Sequence, residues 1–165
     1  MKKMLIYTDG SSLNNPGDGG WGVIFFANKK VMEMAGYQAN ATNNQMEMMA
    51  IYKAFETIIS KNAQEYDIQI YSDSKYVIQG LTEWIESWIK NGWKNSAKKE
   101  VKNKKLWQNI YNMEKMIKTD NKIKYFHVKA HNGQKYNERV DDIARFSAMR
   151  TEFDLYVGKE DNYLK

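Results

Sequence analysis

Two segments of this 165-residue chain share one construction: Met4-Leu5-Ile6-Tyr7-Thr8-Asp9-Gly10 and Ile68-Gln69-Ile70-Tyr71-Ser72-Asp73-Ser74. Each is a short β-favouring run that ends in a hydroxyl residue, a carboxylate and a small residue. Laid side by side and parallel, the two strands deliver both carboxylates to the carboxyl edge of one sheet, where open α/β sheets place their ligands. Like charges that close repel, and one carboxylate is forced to protonate. A bound divalent cation removes the conflict, because each carboxylate then gains an attractive partner and stays ionised.

The rest of the chain supplies the layers such a sheet needs. Strands are expected at 3–9, 20–27 and 31–38, linked by turns at Asn14-Asn15-Pro16-Gly17 and Asn28-Lys29-Lys30, which makes an antiparallel meander. From Asn43 the period becomes helical, with Met48, Ile51, Tyr52, Phe55, Ile58 and Ile59 on one stripe up to Lys61. A strand at 67–72 comes next. Ser74 is placed to cap a helix through Val77 and Leu81 that continues or restarts through Trp84, Ile85, Trp88 and Ile89 until Asn91-Gly92. A helix at 105–118, a strand at 122–129 and a helix at 137–150 complete the pattern, and the tail from Thr151 to Lys165 receives no assignment. The expected fold is α/β: a five-stranded mixed sheet, three antiparallel strands and then parallel ones, with helices packed on it. Residues 1–150 form one domain, and 151–165 are its tail.

Composition limits the chemistry. The chain has no cysteine, so it has no disulfide, thiolate zinc site or cysteine nucleophile, and any metal is held by oxygen or by one of two histidines. Without a signal-peptide pattern or a long apolar run, the chain is expected in the cytoplasm, with no membrane partner. A net charge of +5 and a pI near 9.1 favour a polyanionic partner.

Two further acids stand where folding alone would not put them. Glu47 lies four residues before Ile51 and eight before Phe55, on the face that buries against the sheet. Asp141 lines up with Ala144 and Ala148, small residues that let the last helix lie close. One such acid in isolation is more often a helix cap, and Glu56, Asp67, Glu83 and Asp154 keep that reading. Asp9, Glu47, Asp73 and Asp141 together point to a metal site. All-oxygen ligation selects Mg²⁺, with Mn²⁺ as a substitute, and Mg²⁺ bound through a few carboxylates points to phosphate chemistry. Two such ions about 3.5–4 Å apart activate an attacking water and stabilise the leaving oxygen of an in-line displacement.

The assembled residues resemble the type 1 ribonuclease H family, endonucleases that cut the RNA of RNA–DNA hybrids. Tyr7-Thr8-Asp9-Gly10-Ser11 with Asn14-Asn15-Pro16-Gly17 is similar to the first family motif, and Thr42-Asn43-Asn44-Gln45-Met46-Glu47 to the second. Ser72-Asp73-Ser74-Lys75-Tyr76-Val77 is similar to the third, and His131-Asn132-Gly133 with Asn137-Glu138-Arg139-Val140-Asp141 to the last. The resemblance implies a ribonuclease H-like fold with helices on both sheet faces and two metal ions on Asp9, Glu47, Asp73 and Asp141. Asp142 competes for the fourth ligand position; motif alignment assigns it to Asp141, and a one-residue step turns a side chain about 100° around the helix. His131 matches the family's proton-transfer histidine, although Ala130 stands where the family often has glycine. His127 is read as structural.

Seven lysines between Ser87 and Lys105 interleave with tryptophans. A lysine run is usually a solvated face. This one resembles the family's basic protrusion, about 84–105, that holds the DNA strand. The resemblance places Trp88 against a deoxyribose, Thr42, Ser96 and Asn103 on DNA phosphates, and Asn15, Asn43 and Asn44 in the minor groove, where 2′-hydroxyls mark RNA. Lys75, Lys94, Lys98 and Lys99 complete the expected contacts. The reading is a Mg²⁺-dependent endoribonuclease that acts on RNA–DNA hybrids as a monomer and leaves 5′-phosphate and 3′-hydroxyl ends. Beginning at Met1, it reads as a free-standing enzyme rather than a domain of a larger polypeptide. An integrase or resolvase on the same fold lacks this combination of motifs, and a noncatalytic hybrid-binding module does not need the four carboxylates.

Overall fold

The computed structural model describes residues 1–129 and 133–165. Three long strands open the chain, β1 (Lys2–Ser12), β2 (Gly17–Ala27) and β3 (Lys30–Ala41), and they pair antiparallel in sequence order. The β2–β3 turn uses Asn28 and Lys29 at φ 53° and 62°, the doubly left-handed geometry of a tight two-residue hairpin. Helix α1 (Asn43–Ser60) leads to β4 (Tyr66–Ser72), which pairs parallel with β1 from Lys2↔Tyr66 to Thr8↔Ser72. In β4 the burial alternates, with Tyr66, Ile68, Ile70 and Ser72 inward, the period-two pattern of a strand.

The helical stretch after β4 is continuous. Ser74 Oγ accepts from the Val77 N–H to start α2 (Lys75–Gln79), a π-helical turn spans Gly80–Trp84, and α3 (Ile85–Lys90) continues to Asn91. After the lysine-rich segment, α4 (Lys104–Lys118) returns along α1, and β5 (Lys122–His127) adds in parallel outside β4. The strand expected to reach residue 129 ends two residues earlier, although the Val128 N–H still donates to Ser72 O at 2.8 Å. The last helix is α5 (Lys135–Met149).

The sheet has six strands, in the order β5-β4-β1-β2-β3-β6, where five were expected. The sixth, β6 (Val157–Lys159), pairs antiparallel with the edge of β3. Its three residues carry no alternation that could be read from sequence, and the pairing depends on the edge that β3 offers. One core lies between the sheet and α1–α4, built on Ile6, Ile51, Phe55, Ile68, Ile70 and Trp107. A smaller one lies under α5 on the opposite face, and the tail contributes Tyr163 to it. No helix among the described residues is long and apolar enough to cross a membrane.

Candidate metal and nucleic-acid site

The parallel register that ends at Thr8↔Ser72 places Asp9 and Asp73 side by side at the carboxyl edge of the sheet. Helix α1 brings the third carboxylate. A reciprocal cap fixes its first turn: Thr42 Oγ1 accepts from the Gln45 N–H at 3.1 Å, and Gln45 Oε1 accepts from the Thr42 N–H at 3.0 Å. One turn on, Glu47 faces inward with Ile51 and Phe55. Gly10 makes the approach possible, because a Cβ there would stand 2.2 Å from Glu47 N and the Met46 carbonyl carbon. Carboxylate oxygens of Asp9, Glu47 and Asp73 consequently lie within 4.8 Å of one another.

The fourth acid arrives on α5. Its path crosses Gly20 and Gly22 of β2, where a Cβ would meet Ala144 O at 2.3 Å and Ile143 Cγ2 at 2.7 Å. With the helix this close, Asp141 adds to the rise of the Asp9 pKa while accepting from Arg145 Nε at 3.4 Å, although it stands outside the trio within 4.8 Å. Asp142 is turned to solvent and pairs with the Arg145 guanidinium.

The electrostatics are those of a cluster short of positive charge. Burial pushes the Asp9 carboxyl well above the usual carboxylate range, and the neighbouring Glu47, Asp73 and Asp141 add to the rise. Burial likewise pushes Glu47 up to about 8, against hydrogen bonds from Asp9 and the Gly10 N–H, with the charges of Asp73 and Asp141 contributing. Glu47 Oε2 is buried without a hydrogen-bond partner. Buried polar atoms are rarely left unpaired, and an all-oxygen acidic set with an orphaned oxygen fits a hard divalent cation. His127, given only a structural role from sequence, lies at this edge: its Nε2 is 3.1 Å from Asp73 O. The parallel pairing of β4 with β5 sets His127 opposite Ser72 and so brings it to this edge. His131 lies outside the described residues.

Some of the expected substrate contacts are tied to the start of α1. Asn15, Asn43 and Asn44 are at the surface. Asn15 Oδ1 accepts from the Asn43 N–H at 3.0 Å and Asn43 Oδ1 from the Ser12 N–H at 2.8 Å, tying the β1–β2 turn to the start of α1. Asn103, at φ 59°, donates to Tyr76 Oη and accepts from Gln45 Nε2, both at 3.3 Å, which joins the basic segment to the first turn of α1. Trp107 is fully buried. Trp88, half-buried, packs its ring against Trp84, Trp93 and Trp107. Trp88, Lys94 and Ser96 line a shallow cleft of about 430 Å³, and Lys75, Lys98 and Lys99 are exposed. A roomier groove of about 750 Å³, with Met4, Phe25 and Ile58 in its lining, lies away from the cluster and contains no acid. Within the acidic cluster Asp9 and Glu47 are buried and Asp73 is partly exposed.

The RNase H family model matches residues 1–149. The chain belongs to the RNase H family. Among its curated relatives, a ribonuclease H of Neorickettsia sennetsu is 42% identical over 151 residues, covering 90% of this chain and 94% of the relative. A ribonuclease HI of Xylella fastidiosa (strain 9a5c) is 41% identical over 149 residues, again 90% of this chain and 94% of the relative. Among solved structures, LC9-RNase H1, a type 1 RNase H with the type 2 active-site motif, superposes with a TM-score of 0.82 at 21% identity, covering 98% of this chain and 80% of that one. LC11-RNase H1 in complex with an RNA/DNA hybrid superposes with a TM-score of 0.65 at 20% identity, covering 89% of this chain and 97% of that one. The structural likenesses show the fold, a mixed sheet with helices on both faces, and by family the chain is a ribonuclease H hydrolase.

Proposed function

We propose that this RNase H family member hydrolyses the RNA strand of RNA–DNA hybrids, with two Mg²⁺ ions held by Asp9, Glu47, Asp73 and Asp141, leaving 5′-phosphate and 3′-hydroxyl ends. The observation that carries the reading is the trio of carboxylates within 4.8 Å of one another, two of them buried and raised in pKa, on a fold whose lysine-bearing segment is joined to the first turn of α1 through Asn103 and Gln45. When bound, the ions, or Mn²⁺ in their place, supply Lewis-acid stabilisation of phosphoryl oxygens and a more acidic attacking water.

The chain's own residues do the rest. Asp9 on β1 and Glu47 on the inward face of α1 give the site its floor, while Asp73 and Asp141 close it from the end of β4 and from α5. Asn15, Asn43 and Asn44 reach the hybrid's minor groove, where their amides both donate to and accept from 2′-hydroxyls and base edges. Thr42, Lys75, Trp88, Lys94, Ser96, Lys98, Lys99 and Asn103 carry the DNA strand. His131 moves a proton, so that His131→Ala costs about 10²–10⁴-fold in rate, the range of a general acid–base group. The protein works as a monomer in the cytoplasm.

Cleavage of labelled hybrid, duplex DNA and duplex RNA, with and without Mg²⁺, tests the whole reading. Hybrid cut only with the cation is the expected result; equal cutting of duplex DNA, or none of any substrate, overturns it. For the basic segment, replacing Lys94, Lys98 and Lys99 with Gln should flatten the log–log salt dependence of hybrid binding by up to about 0.7–0.9 for each phosphate that a lysine no longer neutralises. An unchanged slope would return those lysines to an ordinary solvated face.

A further inference from the structure

Glu33 on β3 is a buried acid that the catalytic reading does not use. Its side chain is fully enclosed, and four donors converge on it. Arg139 of α5 donates through Nε and Nη2, each at 2.8 Å. The tail provides the other two, the Tyr156 N–H at 2.8 Å and Tyr163 Oη at 2.5 Å. Arg139 also donates to Asp154 O at 3.1 Å. The tail grips α5 a second time, since the Tyr163 ring stacks on Tyr136 at 5.9 Å and packs against Phe26 and Tyr156.

These contacts fall on the segment of α5 just before Asp141, and the surface beneath the helix gives them their importance. Gly20 against Ala144 and Ala148, and Gly22 against Ile143 and Val140, let α5 come close, but glycines on the sheet side offer no side chains to fix its lengthwise position. Arg139 sits about 200° around the helix axis from Asp141, so a restraint there sets both the rotation and the slide of the turn that carries Asp141. Residues 150–165, which supply the tail's part of the knot, lie beyond the 149 residues that the family model matches.

We propose that the C-terminal tail is a positioning clamp for the metal site, acting through Glu33 and Arg139 to hold Asp141 in register with Asp9, Glu47 and Asp73. Glu33 and Tyr163 are positioning residues: they touch neither substrate nor cation, and they act through α5. The proposal rests on the reading of the four carboxylates as a metal site.

Two full-length variants test it, Glu33→Gln and Tyr163→Phe, the second keeping the ring and removing one donor. Mg²⁺ affinity is read by calorimetry with the metal alone and by the Mg²⁺ concentration for half-maximal cleavage. In Glu33→Gln both should weaken by roughly three- to tenfold, less than the ~10–100-fold seen when a ligand's direct hydrogen-bond partner is removed. Tyr163→Phe should shift them the same way by less, and at saturating Mg²⁺ the rate and the KM for hybrid should stay near wild type. If Glu33→Gln does not fold, Tyr163→Phe decides. Folded variants that melt earlier but bind Mg²⁺ as wild type does would overturn the clamp and leave the knot purely structural. A wild-type protein that binds no divalent cation would instead overturn the metal-site reading. In that case amide exchange along 139–144 of the metal-free protein still decides whether the knot holds α5: faster exchange in the variants supports it, and unchanged exchange refutes it.

Discussion

Glu33 and Glu47 are glutamates buried against opposite faces of one sheet, and their surroundings have opposite character. Around Glu33 every lone-pair direction is answered: a bidentate guanidinium, a phenol and a backbone N–H. Burial alone would raise its pKa, but the hydrogen bonds from Arg139, Tyr163 and Tyr156 outweigh it, and the carboxyl titrates below its ordinary value. Around Glu47 the neighbours are other acids, one oxygen has no partner, and the pKa rises to about 8. A buried charge that the fold neutralises is part of the structure. One that the fold leaves unneutralised is kept for something that arrives later.

The largest expected effect separates the two regions by activity. Asp73→Asn removes one carboxylate from the unneutralised cluster and should cut Mg²⁺-dependent cleavage by at least about 10³-fold, about 4 kcal/mol of transition-state stabilisation, while circular dichroism and hybrid binding stay close to wild type. Substantial Mg²⁺-dependent turnover in the purified variant would remove Asp73 from the site.

By stability the contrast reverses. Arg139→Met strips Glu33 of its counter-ion and leaves a buried carboxylate, a change that costs about 3 kcal/mol or more when a buried pair is broken on one side. Urea unfolding at pH 7 measures it; a loss below about 1 kcal/mol would show that water already reaches Glu33.

A smaller effect of the other sign is expected at the cluster. Glu47 has its folded pKa raised above the unfolded value, so the metal-free folded state binds the extra proton, and stability falls as pH climbs from about 4 toward 8. Glu47→Gln removes that dependence. In the presence of a chelator the variant should be more stable than wild type by about 1–2 kcal/mol at pH 8, with the advantage gone near pH 4 and reduced by Mg²⁺, which stabilises the wild type. Glu33 obeys the opposite rule: its folded pKa is depressed, so its contribution is full above the ordinary carboxylate range and is lost only as acid carries the pH through that depressed value. A Glu47→Gln protein that gains nothing at pH 8 would mean that the cluster is relieved in some way other than by a cation.

Legible in the sequence were the β-favouring runs that lead to Asp9 and Asp73, the inward stripe of α1 and the small residues on the face of α5, because each depends on residues a few positions apart and on a fixed period of two or 3.6; the length of β1, which runs on to Ser12, was not. Those local rules also carried the family motifs. They do not encode which distant segments meet. Glu33 sits between two methionines in a strand and gives no local sign of a partner; Arg139 and Tyr163 stand 106 and 130 residues away. Strand β6 has three residues and exists only because β3 has an open edge and Tyr163 anchors the end of the tail in the smaller core. His127 became a neighbour of Asp73 only through the parallel pairing of β4 with β5. Tertiary structure decided these because a hydrogen bond or a strand pairing across a hundred residues is set by the packing of whole layers, and the pattern of any one segment holds no record of it.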